Sequence, residues 1–279
     1  MLVDVHIHLS SPGLVADRCP YLKGEVGLSI LYSDPAARLV STEDLLKELD
    51  AAGVDKALVM GFPFTVEDNA RKHNDWLLEE CARYPGRLYP LAAFDQRAPW
   101  ALRHSEEFFK NGGYGLGELC VYDEGLTEPM LENLSALAAL CREHNAPMLV
   151  HVNEPIGHRY PGKAPIEISQ IMDLVIRSQG TKLVLAHFGG GLPLFACLKK
   201  NVRPYLENVR FDTAAMPFIF EPQALKLGVS LLGADKFLLG TDYPLLKVPR
   251  YLKFLNDAEL SPGEVAQVSG QAAADFLGL

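Results

Sequence analysis

Asp4-Val5-His6-Ile7-His8 places two imidazoles and a carboxylate at alternate positions of an apolar run. On a strand, a period of two sends all three side chains to one face. Two imidazoles on one buried face need a shared partner, and a metal ion satisfies both at once. A lone interior histidine is more often a hydrogen-bonded core residue, so the pair carries the argument. Four of the eight histidines, His6, His8, His151 and His187, fall at the C-terminal ends of predicted strands, and Glu118 and Asp242 join them there. Imidazole with carboxylate suits zinc first, with manganese, iron or nickel as alternatives, and is too nitrogen-rich for calcium or magnesium. No cysteine belongs to the set, which argues against a closed structural zinc site and for a position open to water or substrate. The remaining histidines, His73, His104, His144 and His158, are expected at the surface, with His158 a candidate exception.

The elements that would position these groups alternate along the chain. Strands are expected at Leu2–His8, Asp55–Gly61, Leu88–Phe94, Gly115–Val121, Pro147–Val152, Lys182–His187, Val209–Thr213 and Lys236–Thr241. Helical periodicity fills Thr42–Ala52, Asn74–Tyr84, Trp100–Lys110, Pro129–His144, Ile166–Gln179, Leu192–Lys199, Glu221–Leu232 and Ser261–Phe276. Ser41 and Gly53 mark the ends of the first of these, and Ser261-Pro262-Gly263-Glu264 opens the last. Eight strands separated by helices imply parallel pairing, and the number points to a single (β/α)8 TIM barrel spanning residues 1–279. An open doubly wound sheet is the runner-up, and no G-x-G-x-x-G follows a strand to favour it. Gly189-Gly190-Gly191 suits a tight turn. The Pro-, Gly- and Ser-rich segment 9–40 follows the first strand on the side where barrel active sites lie, and reads as a lid or binding loop.

Composition bounds the partners. Hydrophobic residues make up 48% of the 279 and charged residues 22%, as in a soluble globular protein, and the formal net charge of −9 disfavours nucleic acid. The five cysteines include no C-x-x-C pair, so a disulfide framework is not expected and a reducing cytoplasm is. No run approaches the ~20 apolar residues that span a bilayer, and no secretory signal opens the chain. A small-molecule substrate is the expected partner. Barrels often pair into homo-oligomers, and the sequence leaves that state open.

The chain resembles the amidohydrolase superfamily, in the branch that groups TIM-barrel metal hydrolases with aminocarboxymuconate-semialdehyde decarboxylase-like proteins. The likeness rests on Asp4-Val5-His6-Ile7-His8, Ala52-Gly53-Val54-Asp55-Lys56-Ala57, Tyr84-Pro85-Gly86-Arg87-Leu88, Val150-His151, Leu185-Ala186-His187-Phe188-Gly189-Gly190 and Gly240-Thr241-Asp242-Tyr243-Pro244, in that order along nearly the whole chain. It implies that His6, His8 and His151 ligate a metal, and that Asp242 ligates it or takes a proton from bound water. It implies that His187 ligates a second metal or acts as acid and base. Many members carry a carboxylated lysine on strand four; Gly117-Glu118 stands there instead, and Glu118 resembles the strand-four glutamate of TatD-like deoxyribonucleases. One metal or two is left open.

Hydrolysis of a small amide, ester or lactone is the expected activity, since a divalent ion lowers the pKa of bound water from 15.7 to about 7 and Asp242 would take its proton. A decarboxylase of a small unsaturated acid is the alternative, and a TatD-like nuclease a weaker one. The segment after strand five brings Asn153, Glu154, His158, Arg159 and Tyr160 toward the barrel mouth as candidate substrate contacts, with the bracing of that loop as their other reading.

Overall fold

A computed structural model describes residues 1–279. Eight parallel strands pair in chain order: β1 Val3–His8, β2 Lys56–Met60, β3 Leu88–Ala92, β4 Gly115–Leu119, β5 Pro147–Val150, β6 Lys182–Leu185, β7 Val209–Asp212 and β8 Phe237–Leu238. β8 is shorter than expected, yet the chain beyond it returns to β1. The amide of Val5 donates to the Leu239 carbonyl at 2.9 Å, that of Asp242 to His6 at 2.9 Å, and that of His8 to Tyr243 at 2.8 Å. These bonds join the last strand to the first and close the (β/α)8 barrel.

Helices cover the outside. Thr42–Ala52 runs between the expected limits, with the Ser41 side chain accepting from the Asp44 amide and Gly53 left-handed at its end. The helix after β2 begins at Glu67, a full turn and more before its expected start, because its first turns are polar and carry no apolar period to read. A helix at Val248–Asp257 has no counterpart among the expected ones. The expected Ser261–Phe276 helix is interrupted at Gln267–Gln271, where the Val268 carbonyl accepts from the Leu239 amide. Segment 9–40 is not an open loop but carries three short helices, Pro12–Ala16, Cys19–Leu22 and Val26–Tyr32. Buried Glu25 fastens it by accepting from the amides of Thr65 and Val66 and from Asn69.

The barrel interior is filled by Val3, Val5, Leu58, Met60, Leu91, Leu149, Val184 and Leu238, and Ala272, Ala273 and Leu277 plug its lower end. A second apolar layer lies between strands and helices. With the lower end closed, polar side chains collect at the C-terminal ends of the strands.

Two irregularities shape that polar end. Between Leu116↔Met148 and Leu119↔Val150, β4 spends three residues where β5 spends two, and β1 does the same against β2 between Asp4 and Ile7. An inserted residue re-aims a side chain. In β4 the re-aimed residue is Glu118.

Candidate metal centre

The extra residue in β1 between Asp4 and Ile7 breaks the expected alternation, so Asp4 lies level with Ala57, His8 lies level with the interior residue Met60, and the three side chains do not share one face. Asp4 is wholly buried below the others; it accepts from the His6 and Thr241 amides and, at 2.6 Å, from the Thr241 hydroxyl. Burial raises its carboxyl to about 7 against those hydrogen bonds. It ties β1 to the segment after β8.

His6 and His8 point upward, and their tautomers are fixed by what lies behind them. Nδ1 of His6 faces Asp212 Oδ2 at 2.8 Å, Nδ1 of His8 faces the Gly61 carbonyl at 2.8 Å, and Nδ1 of His187 faces the Ala214 carbonyl at 3.0 Å. A carbonyl or carboxylate oxygen only accepts, so each Nδ1 carries the hydrogen and, in the neutral ring, each Nε2 keeps its lone pair. Those lone pairs converge. His6 Nε2 and His8 Nε2 are 3.3 Å apart, and His8 Nε2 lies 3.4 Å from Asp242 Oδ1 and 3.5 Å from Glu118 Oε2. From His6 Nε2 the same two oxygens are 3.8 and 3.7 Å away. Donors about 2.1 Å from a common ion at tetrahedral angles sit about 3.4 Å apart. The set fits a divalent cation.

On the far side of Glu118 a second group meets. Its Oε1 is 2.9 Å from His151 Nδ1 and 3.2 Å from His187 Nε2, and those two nitrogens are 3.1 Å apart. All of these residues are buried, apart from the partial exposure of Asp242.

The charges act on one another. Burial pushes the His6 and His8 imidazoles down, but Asp212 and Glu118 lift His6 well above the ordinary range, and Asp242 with Glu118 lifts His8 to about 9. Burial would raise both acids, yet His6 and His151 hold Glu118 well below the usual carboxylate range, and His8, His6 and His187 hold Asp242 at about 2. Without a cation the acids are ionised at neutral pH and His6 and His8 hold protons, which a cation would displace from Nε2 on binding.

Local backbone delivers these groups. β6 ends at Leu185, two residues before the expected limit, and His187 and Phe188 are left-handed at φ 53° and 58°. Asp212 secures that turn by accepting from the amides of His187 and Ala214. Gly190 is needed there: its φ is +61°, and a Cβ would lie 2.6 Å from the Asn153 carbonyl oxygen. The three glycines serve this turn.

Asp212 is not among the expected site residues. Its signal is the one shared by Glu118 and Asp242, an acid closing an apolar strand. Tyr32, Phe62 and Tyr122 are further additions. Phe62 stacks on the His8 ring at 5.5 Å with 12° between planes, Tyr32 meets Phe62 edge-on, and Tyr122 meets His151 edge-on. Aromatic surface thus flanks the cluster on two sides.

The expected substrate contacts after β5 are placed differently from one another. Asn153 is buried but spends its amide on the Glu154 and Ala164 carbonyls and its oxygen on the Ala164 amide. Glu154 binds Lys163 at 2.6 Å and Tyr160 at 2.9 Å, while His158 and Arg159 are exposed. These bonds brace the loop. His73 and His104, expected at the surface, are buried, because they sit on the inward faces of helices Glu67–Ala82 and Ala101–Lys110 among Phe62, Phe64, Trp76, Phe94 and Trp100.

The Amidohydrolase family model matches residues 3–279. The chain belongs to the amidohydrolase family. Among its relatives, γ-resorcylate decarboxylase of Rhizobium radiobacter is 21% identical, over 95% of this chain and 94% of that one. The structure of 5-carboxyvanillate decarboxylase from Sphingomonas paucimobilis superposes with a TM-score of 0.75 at 18% identity, covering 100% of this chain and 99% of that one. A dihydroxybenzoic acid decarboxylase from Polaromonas sp., solved with manganese and 2-nitroresorcinol, superposes at 0.69 with 16% identity, covering 100% and 97%. Relatives that are decarboxylases overturn the expectation of a hydrolase acting on an amide, ester or lactone. Manganese in a solved relative gives zinc no priority. No helix is long and apolar enough to cross a membrane.

Proposed function

We propose that this amidohydrolase-family enzyme is a divalent-metal-dependent decarboxylase of a small aromatic hydroxy acid. The match along more than nine-tenths of both chains to a γ-resorcylate decarboxylase carries this reading. His6, His8, Glu118 and Asp242 would hold the ion, with manganese the first choice. When bound there, the ion supplies positive charge that draws an acid's oxygens and withdraws electrons from its ring.

The protein's own groups do the rest. Phe62 and Tyr32 on one side, and Tyr122 on the other, offer flat apolar faces to a ring. Asp242, ionised and only partly exposed, takes the proton of the acid's ring hydroxyl and returns it to the ring carbon that bears the carboxylate. The pair of electrons in the carbon–carboxylate bond then passes into the ring as CO2 leaves. A solvent proton restores the hydroxyl. His6 and His8 keep their Nε2 lone pairs inward throughout, because Asp212 and Gly61 hold the opposite ring hydrogens.

The test is CO2 release from manganese-loaded protein given 2,6-dihydroxybenzoate, 5-carboxyvanillate and other hydroxybenzoates, beside a panel of amides, esters and lactones. Release from at least one acid, abolished in Asp242→Asn with at least part of the manganese still bound, is the expected result. Turnover of an ester or lactone with no CO2 from any acid overturns the reading.

A further inference from the structure

We infer that the Tyr251 hydroxyl is a positioning group for the candidate metal centre, tying the turn that carries Asp242 to the turn that orients His187. The inference rests on reading the cluster as a metal centre, and only its kinetic consequence rests on decarboxylation.

Tyr251 stands on the outer helix Val248–Asp257, yet its side chain is wholly buried. A buried phenol needs partners, and this one has two: it donates to the Thr241 carbonyl at 2.6 Å and accepts from the Ala215 amide at 2.9 Å. A carbonyl only accepts and an amide N–H only donates, so both directions are fixed. Burial, with the Asp242 charge nearby, lifts the phenol well above its ordinary value, and the hydroxyl keeps its hydrogen.

Each partner is half of a peptide group whose other half serves the centre. The Ala214 carbonyl, in the same peptide as the Ala215 amide, accepts from His187 Nδ1 at 3.0 Å. The Asp242 amide, in the same peptide as the Thr241 carbonyl, donates to the His6 carbonyl at 2.9 Å. The His187 ring, the 214–215 peptide, the phenol, the 241–242 peptide and the His6 backbone are thereby joined head to tail. Every member donates onward in the same direction, and each bond polarises the next. Tyr251 is the middle link, reaching in from the outer layer.

Backbone strain shows what the link holds. Ala215 and Asp242 are both left-handed at φ 55°. Neither is glycine, and such backbone persists only where its surroundings over-determine it. The phenol constrains both turns at once. Without it the Ala215 N–H and the Thr241 carbonyl lose their partner, and both turns can relax. Asp242 Oδ1 then leaves its place 3.4 Å from His8 Nε2, and His187 loses the fixed acceptor behind its ring. The aromatic faces of Phe62, Tyr32 and Tyr122 lie on other segments and stay where they are. Metal holding and proton transfer suffer; capture of a ring does not.

Tyr251→Phe keeps the ring and removes only the hydroxyl. Thr181→Val is the control, since it removes another buried hydroxyl, one that donates to the Ala138 carbonyl at 2.9 Å just before β6, at the opposite end of the barrel. Manganese affinity is measured by chelator competition, and kcat and KM by CO2 release from the hydroxybenzoate that the unaltered protein turns over. In Tyr251→Phe we expect affinity and kcat each to fall about 10–100-fold with KM little changed, and in Thr181→Val neither to move. Hydrogen exchange of the metal-free proteins gives a readout apart from turnover. The Ala215 amide should exchange as slowly as the Val5 amide of β1, and about 10-fold faster in Tyr251→Phe. Unchanged affinity and kcat in Tyr251→Phe, or equal losses in Thr181→Val, overturn the inference. So does fast exchange at Ala215 in the unaltered protein, a result that needs no variant to fold. Manganese affinity that falls in Tyr251→Phe while no protein releases CO2 removes the decarboxylase reading and keeps the inference.

Discussion

Replacing Gly117 by alanine tests whether the β4 irregularity is what aims Glu118. Gly117 has φ +145°, where L side chains are rarely found, and an added Cβ would lie 2.7 Å from Leu149 Cβ and 2.9 Å from the Leu149 carbonyl oxygen. The backbone conformation costs about 1–3 kcal/mol. The overlap costs about 1–3 kcal/mol more, because the opposing atoms belong to a central strand that cannot retreat. Gly53→Ala is the control: its φ is +69°, nothing lies within 4 Å of the new Cβ, and only the left-handed term of roughly 1–2 kcal/mol applies. Urea unfolding of the metal-free proteins should show Gly117→Ala losing about 2–3 kcal/mol more than Gly53→Ala. Relief of the overlap must shift the neighbouring Glu118, so manganese affinity should also fall in Gly117→Ala and hold in Gly53→Ala. Equal losses of stability with unchanged affinity in both would refute the reasoning.

The same geometry sets three further outcomes. Asp212→Asn keeps the acceptor for the His187 and Ala214 amides but sets an N–H₂ against the His6 Nδ1 hydrogen, which favours the wrong His6 tautomer; manganese affinity by chelator competition should drop about 10–100-fold. Unchanged affinity would remove Asp212 from that role. Burial depresses His73 from 6.5 to about 4, so the unfolded chain binds the proton first, and the stability present above pH 6.5 is lost as the pH falls toward 4. Between pH 7 and 5 the loss is about 2 kcal/mol, and His73→Phe, packed among Phe62, Phe64 and Trp76, should lose that much less over the same range in denaturant unfolding; parallel pH profiles would show His73 is not buried neutral. Glu25→Gln weakens the acceptor for the Thr65 and Val66 amides and should speed proteolysis within residues 9–40 before any change at the barrel; simultaneous cleavage everywhere would refute it.

Much of the barrel is legible in the sequence because its signals are local. Apolar strands carry their periodicity in consecutive residues, and Ser41 with Gly53 bounds a helix through its own orphan backbone groups. The start of helix Glu67–Ala82 is hidden because its first turns are charged, and His73 is misplaced with it: burial is a property of the face that packs, and that face is not apparent in so polar a stretch. The hydrolase expectation fails for a different reason. A metal cluster with an acid beside it serves bond cleavage by water and carbon protonation alike.

The pair of imidazoles on β1, His6 and His8, is determined by sequence alone, since alternation along a strand is dictated by the pleat. So is the recurrence of His151, His187, Glu118 and Asp242 at strand ends. Tertiary structure decided which atoms face which. Asp212 fixes the His6 tautomer across the barrel, and the extra residue in β4 turns one carboxylate between two groups of nitrogens. Neither is written locally, because a hydrogen bond between residues 206 positions apart and a register shift against a neighbouring strand exist only once the sheet has closed.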